Sequence, residues 1–216
     1  MATEVGLFEA MFSMRSMRRL KKDPIPDETL KKLIEAATQA PSGQNTQRWA
    51  FLVITDDETR RFFGENYKHW LMNRFKGQFP DKSDRSKPAR QIHAATHLAE
   101  HMHEAPAIIL CCGKRDWPFV VAQEDRVGLA PPSYGSIYPA TQNLLLAARA
   151  LGLGASLTTM HQMFEPELRE KCGIPDDFGI VAAIPVGYPE GNFGAVTREP
   201  AAAKTHMNKW GQHPDW

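Results

Sequence analysis

Residues 137–151 put Leu144, Leu145, Leu146, Ala147, Ala148 and Leu151 on nearly every side of one helix. A helix that is apolar almost all round has to be central, so the rest of the chain must be arranged to enclose it. Gly152 and Gly154 end this helix, and Ala155–Thr159 is predicted to leave it as a strand. Three further apolar runs, 49–55, 107–112 and 179–187, read as strands buried on both faces. Leu7, Phe8, Met11 and Phe12 recur at helical spacing, giving a first helix of about two turns. Asp27 is predicted to cap a second helix carrying Leu30, Leu33, Ile34 and Ala37, and 165–172 a short third one. The fold class that follows is α+β, with a small mixed sheet wrapped in helices.

The remaining stretches are polar or irregular. Residues 57–104 are predicted to be helical in pieces, and Gly77–Pro88, with two prolines and alternating charges, to be a mobile loop or lid. Residues 116–134 read as an irregular connector containing Trp117, Pro118, Pro131 and Pro132. After residue 190 the chain reads as a tail whose Trp210 and Trp216 are expected to dock on another surface. At 216 residues and 42% hydrophobic content, one domain is expected over 1–216, with an excursion at about 60–104 that builds a lid and substrate pocket.

A net charge of +1, from 26 basic and 25 acidic residues, argues against a nucleic-acid binder. No apolar run approaches the ~18 residues of a membrane span, and Glu4 and Glu9 are foreign to a secretory signal. Cys111 and Cys112 point to opposite faces of one strand and are poorly placed to pair. A reduced, cytoplasmic setting is expected.

Several motifs resemble sites without meeting their requirements. In Gly152-Leu153-Gly154 the glycines follow a helix and precede a strand, the reverse of the dinucleotide fingerprint. His93, His97 and His101 share a helix face, and Glu100 and His103 form one Glu-x-x-His pair. A di-iron bundle needs two such pairs, so a solvated face is the reading and no metal is expected. Ser42 lies in Pro-Ser-Gly rather than a nucleophile elbow, and Cys172 ends a helix as a packing residue.

Arg15, Arg18 and Arg19 cluster after the first helix, and Arg198 lies near the other end. Such a cluster is either a solvated basic turn or an anion site, for guanidinium forks match phosphate oxygens. Two other elements suit a flat polar ligand. The small residues Ser42, Gly43 and Asn45 let backbone approach a ring, and Thr158-Thr159-Met160 offers hydroxyls and amides.

Taken in order, these pieces resemble the FMN-dependent nitroreductase family over nearly the whole chain. The matching segments are Arg15-Ser16-Met17-Arg18, Ala40-Pro41-Ser42-Gly43-Gln44-Asn45-Thr46-Gln47-Arg48-Trp49 and Ala105-Pro106-Ala107-Ile108-Ile109. They continue through Gln142–Ala148, Gly152–Gly154, Thr158–Met160, Pro185–Pro189 and Arg198. The resemblance implies an intertwined homodimer with FMN in each interfacial site and NADH or NADPH as the electron donor. It implies that Arg15, Ser16, Met17 and Arg18 bind the FMN phosphate, ribityl chain and pyrimidine edge, and that Arg198 returns to the phosphate. Pro41, Ser42, Gly43 and Asn45 would line the ring from the partner, and Thr158, Thr159 and Met160 would lie along it. Chemistry would then sit on the flavin, with no catalytic side chain and with Arg18 tuning the ring. The expected reaction is ping-pong reduction of nitroaromatics, quinones or related small molecules. A flavin-binding redox sensor and a reductive dehalogenase are the alternatives.

The chain departs from the family pattern at Met14, where many members carry arginine, and at Arg48, where proline is common. Dehalogenating relatives use a lid Glu and Tyr one helical turn apart, whereas Glu65 and Tyr67 are two residues apart. Tyr67, Trp70, Phe75 and Tyr138 can stack on an aromatic substrate or pack in the core. Arg48, Lys68, Arg74 and Lys76 are candidate readers of an NADPH phosphate.

Overall fold

The computed structural model describes residues 5–115 and 134–216. The predicted connector at 116–134 falls almost wholly outside them. In chain order the elements are α1 (Leu7–Ser13), α2 (Asp27–Thr38), β1 (Trp49–Ile54), α3 (Asp57–Phe75), α4 (Lys87–His101), β2 (Ala107–Lys114), α5 (Tyr134–Ala150), β3 (Gly154–Ala155), α6 (Glu165–Cys172) and β4 (Phe178–Gly187). The sheet runs β1-β2-β4-β3.

The sheet expected to be mixed pairs antiparallel throughout its named strands. Its parallel component is the isolated bridge between Ser16 and Ala155. The third strand is also shorter than expected. After Ala155 the chain leaves the ladder and touches β4 again only where Thr158 bridges Ala183. Asp27 is the first residue of α2 rather than its cap, because Pro26 takes the flanking position with a φ of -59°.

Helices cover both faces of the sheet. On one, α2 and α5 bury Leu30, Leu33, Ala37, Leu144, Leu145 and Ala148 against Ile109, Cys111 and Ile184. On the other, α3, α4 and α6 bury Phe63, Leu98, Ala99 and Leu168 against Ile108, Leu110 and Cys112. Adjacent Cys111 and Cys112 thus enter opposite cores, as strand alternation requires, and both thiols are free. Burial pushes the Cys111 thiol up to about 11 and the Cys112 thiol up to about 12.

Gly152, with φ +76°, closes α5, and the amide of Leu153 reaches back to the carbonyl of Ala148 at 2.8 Å. The helix end is therefore a glycine cap, as its order in the sequence indicated. Gly154 serves close packing. A Cβ there would stand 2.9 Å from both the Met17 Cβ and a Leu20 methyl. No helix among the described residues is long and apolar enough to cross a membrane.

Candidate functional site

The arginine segment lies along the β3 edge of the sheet. Met17 N donates to Ala155 O at 2.9 Å, and Lys21 N donates to Tyr188 O at 2.8 Å. Met17 is the buried anchor of the segment, while Arg15 and Ser16 are exposed and Arg18 is half-buried. Among the described residues neither Arg15 nor Arg18 has a side-chain hydrogen bond or ion pair. Two cations so placed favour an anion wherever one can reach both.

The tail closes on the same corner. Val196 N donates to Phe12 O at 3.0 Å, which brings Arg198 back to the end of α1, close in sequence to Arg15. Among the described residues the Arg198 guanidinium bonds only to the adjacent Thr197 carbonyl, at 2.9 Å. Behind this corner Arg149 is buried, with Nε donating to Ser13 Oγ at 2.7 Å and Nη2 to Glu9 at 3.2 Å. Its guanidinium also lies 4.2 Å from the centre of the Phe193 ring. Arg149 thus ties α1 and the tail to the end of α5.

Three residues beyond Ala155, the chain turns at Thr158. Thr158 exchanges both backbone hydrogen bonds with Ala183, at 2.9 and 3.0 Å, and its Oγ1 accepts from Met160 N at 3.2 Å. Thr159 is exposed and Met160 half-buried. The fold therefore unites the arginine segment, Arg198 and Thr158–Met160 along one edge.

Pro41–Asn45 is elsewhere. It leads into β1, the opposite edge, and three strand spacings of about 4.8 Å separate the two edges. Trp49 pairs with Gly113, and a Cβ on Gly113 would meet Ile137 near the start of α5, whereas the arginine corner is tied to Arg149. Twelve helical residues between those points span about 18 Å. Within one chain these halves do not meet. The loop itself is tightly made. Gln44, Asn45 and Gln47 all have positive φ, and Gln47 N donates to Ser42 Oγ at 2.8 Å. Left-handed backbone at three non-glycine positions is strain that local hydrogen bonds hold in place. Residue types alone did not point to it.

Of the aromatics proposed for substrate stacking, Tyr67 takes the other course and packs in the core. It is buried beside Phe63, and its hydroxyl lies 3.5 Å from Thr158 Oγ1. Glu65, two residues away, is exposed and lines the α3–α4 cleft, so the two do not form one pair. Trp70 and Phe75 are half-buried, whereas Tyr138 is exposed.

The histidine row makes a polar chain. His97 Nδ1 lies 3.0 Å from Arg19, its ring 4.3 Å from that of His101, and His101 Nδ1 lies 3.1 Å from Glu104. No cluster of metal-ligating side chains occurs among the described residues. The sequence reading passed over His161, a fully buried imidazole directly after Met160. Its position next to Thr158–Met160 was the available signal.

The nitroreductase family profile matches residues 13–188, which include Arg15–Arg19, the Ser42 loop and the Thr158 turn but not Arg198. The chain belongs to the nitroreductase family. Among its relatives within and around that family, an NADH dehydrogenase of Thermus thermophilus is 30% identical over 195 residues, covering 83% of this chain and 85% of that one. An iodotyrosine deiodinase of Drosophila melanogaster is 31% identical over 188 residues, 85% of this chain; the match spans 62% of the fly protein. Among solved structures, oxidised iodotyrosine deiodinase bound to FMN and 3-iodo-L-tyrosine superposes with a TM-score of 0.70 at 23% identity, covering 90% of this chain and 96% of that one. That likeness shows the fold.

Proposed function

We propose that this nitroreductase-family chain is an FMN-dependent oxidoreductase that draws electrons from NADH or NADPH and delivers them to small electron-poor aromatics, nitro compounds or quinones. The observation that carries the reading is the Met17–Ala155 bond, which sets the unpartnered Arg15 and Arg18 beside the strand end bearing Thr158–Met160. This donor set fits FMN. Guanidinium forks match a dianionic phosphate, and threonine hydroxyls match flavin carbonyls. The family membership and the FMN of the deiodinase neighbour support the same cofactor.

When bound, FMN supplies the hydride and electron chemistry, so no side-chain nucleophile is required. Arg15 and Arg198 hold the phosphate, and Ser16 and Met17 follow the ribityl chain. Arg18 fixes a positive charge at the pyrimidine edge, where reduction places negative charge. Thr158, Thr159 and Met160 lie along the ring. Pro41, Ser42, Gly43 and Asn45 of a second copy cover the other side and exclude water, because within one chain they sit at the far edge of the sheet. The exposed face of α1 (Leu7, Phe8, Phe12) and the tail tryptophans bury against that copy, with all of 1–216 as one domain. Trp70 and Tyr138 are the aromatic candidates for the substrate side.

The deiodinase relatives favour reductive dehalogenation as a second reading. Glu65 and Tyr67 do not support it, since one is exposed and the other is in the core. The deciding experiment is an absorption spectrum before and after anaerobic NADH and then NADPH. A flavin spectrum that bleaches with one donor, followed by reoxidation with menadione, is expected. Flavin that stays oxidised with both donors would mean a binding or sensing protein, and no flavin after soaking in FMN would overturn the reading.

A further inference from the structure

His161 stands in the turn Met160–Met163 directly after Thr158–Met160, and its ring has no exposed surface. Nε2 lies 2.9 Å from the Ile180 carbonyl. A carbonyl only accepts, so Nε2 carries the hydrogen and Nδ1 the lone pair. Nδ1 is buried and, among the described residues, makes no hydrogen bond of normal geometry; the Thr158 backbone gives it a weaker favourable contact. The Nε2 bond to Ile180 accounts for one edge of the ring, while the acceptor at Nδ1 is left over.

The surroundings of the ring act on its two states in opposite directions. Burial disfavours the cation and prevails, holding the ring's pKa below the usual histidine value; the Ile180 and Thr158 backbone and the Glu165 carboxylate favour the cation. From α6 the charged group is Glu165, itself bonded to Arg115 at 3.3 Å and to Ile180 N at 3.2 Å. From α3 the Tyr67 phenol reaches the turn through Thr158. From β4 the contact is backbone carbonyl. One more negative charge near this turn would act in favour of the cation.

We propose that His161 Nδ1 takes up a proton from solvent when the site is reduced. The inference rests on the FMN reading above. Hydride transfer from NAD(P)H moves two electrons and one proton to the cofactor, oxidises the nicotinamide, and leaves the site one unit more negative. The solvent proton bound at Nδ1 cancels that unit, the only bond made in the protein is N–H, and the proton is released when substrate reoxidises the site. His161 touches neither substrate nor reacting atoms; it is a positioning residue that sets the potential through the Thr158–Met160 turn.

The test uses FMN-loaded protein with 15N-labelled histidine, His161 being assigned through His161→Gln, which keeps a donor for the Ile180 carbonyl. Near pH 7 the His161 Nδ1 signal is expected to be that of a bare lone pair in the oxidised sample and of N–H in the reduced one. The midpoint potential should fall twice as steeply with pH in the wild type as in His161→Gln, over the interval between the two His161 pKa values. His161→Asn serves if the glutamine variant does not fold, and the wild-type spectrum stands alone. Bound FMN with a neutral ring in both redox states overturns this inference and leaves the function intact. A protein that binds no FMN overturns both.

Discussion

Met17 N donates to Ala155 O at 2.9 Å, and Gly154 beside it leaves no room for a side chain. That pair fixes where Arg15 and Arg18 stand relative to Thr158, so the anion corner depends on a close approach between two pieces of backbone.

Gly154→Ala should therefore damage the site without touching a polar group. Its Cβ would press on Met17 and Leu20 at 2.9 Å. Overpacking of this kind costs about 1–3 kcal/mol, and displacement of the segment should weaken FMN binding at least about tenfold, about 1.4 kcal/mol. Urea unfolding and flavin fluorescence titration measure the two effects. An unchanged affinity would show that the segment does not position the cofactor.

Arg18→Ala should lower kcat/KM by roughly a hundredfold, corresponding to about 3 kcal/mol of lost electrostatic stabilisation, and make the flavin harder to reduce. Arg15→Ala should instead weaken FMN binding with less effect on the potential. Equal behaviour of the two variants in potentiometry and titration would contradict the separate roles.

Arg149→Met removes a buried guanidinium that bonds Ser13 and Glu9 and lies over Phe193. Loss of the hydrogen bond from a charged donor, with Ser13 left short of a partner, should cost about 2–3 kcal/mol. A shift of the urea midpoint without change in the m-value is expected.

Acid should destabilise the fold in two stages. Burial holds His161 and, with Arg19 and His101 adding to it, His97 below the usual histidine value. In such a case the unfolded chain binds more protons just below its own pKa near 6.5, so stability falls as pH drops through that value and levels off below the folded pKa. Asp56 and Glu104, whose carboxyls are held below their usual range by the Thr59 amide and by Lys22 and His101, lose their contributions near pH 4 and below. Urea midpoints from pH 8 to pH 3 measure this. A first stage that persists undiminished in the double variant His97→Gln/His161→Gln would assign it to other groups.

If a second copy completes the site, flavin and dimer should be lost together. Phe8 and Phe12 stack at 6.3 Å while 70% and 66% exposed. Phe8→Ser with Phe12→Ser should leave the monomer folded, since neither ring belongs to either core. Sedimentation and flavin content report the outcome; a monomeric protein that keeps its FMN would place Pro41–Asn45 outside the site.

The sequence by itself determined the elements and their order. The apolar surface of 137–151 required a central helix, the short apolar runs required buried strands, and glycine after α5 required a cap, because each is a matter of local period or backbone freedom. The set of candidate residues was legible too, since guanidinium, small and hydroxyl residues declare their chemistry by type. Their grouping was not. Whether Tyr67 stacks on substrate or packs on Phe63, whether β3 runs on to Thr159, and whether Arg15 and Ser42 share one edge or lie on opposite ones all depend on contacts between residues distant in the chain. Spacing along a sequence carries no information about those distances. Only tertiary packing aligned Met17 with Ala155, buried His161 in the turn after Met160, and left Pro41–Asn45 beside the opposite edge of the sheet.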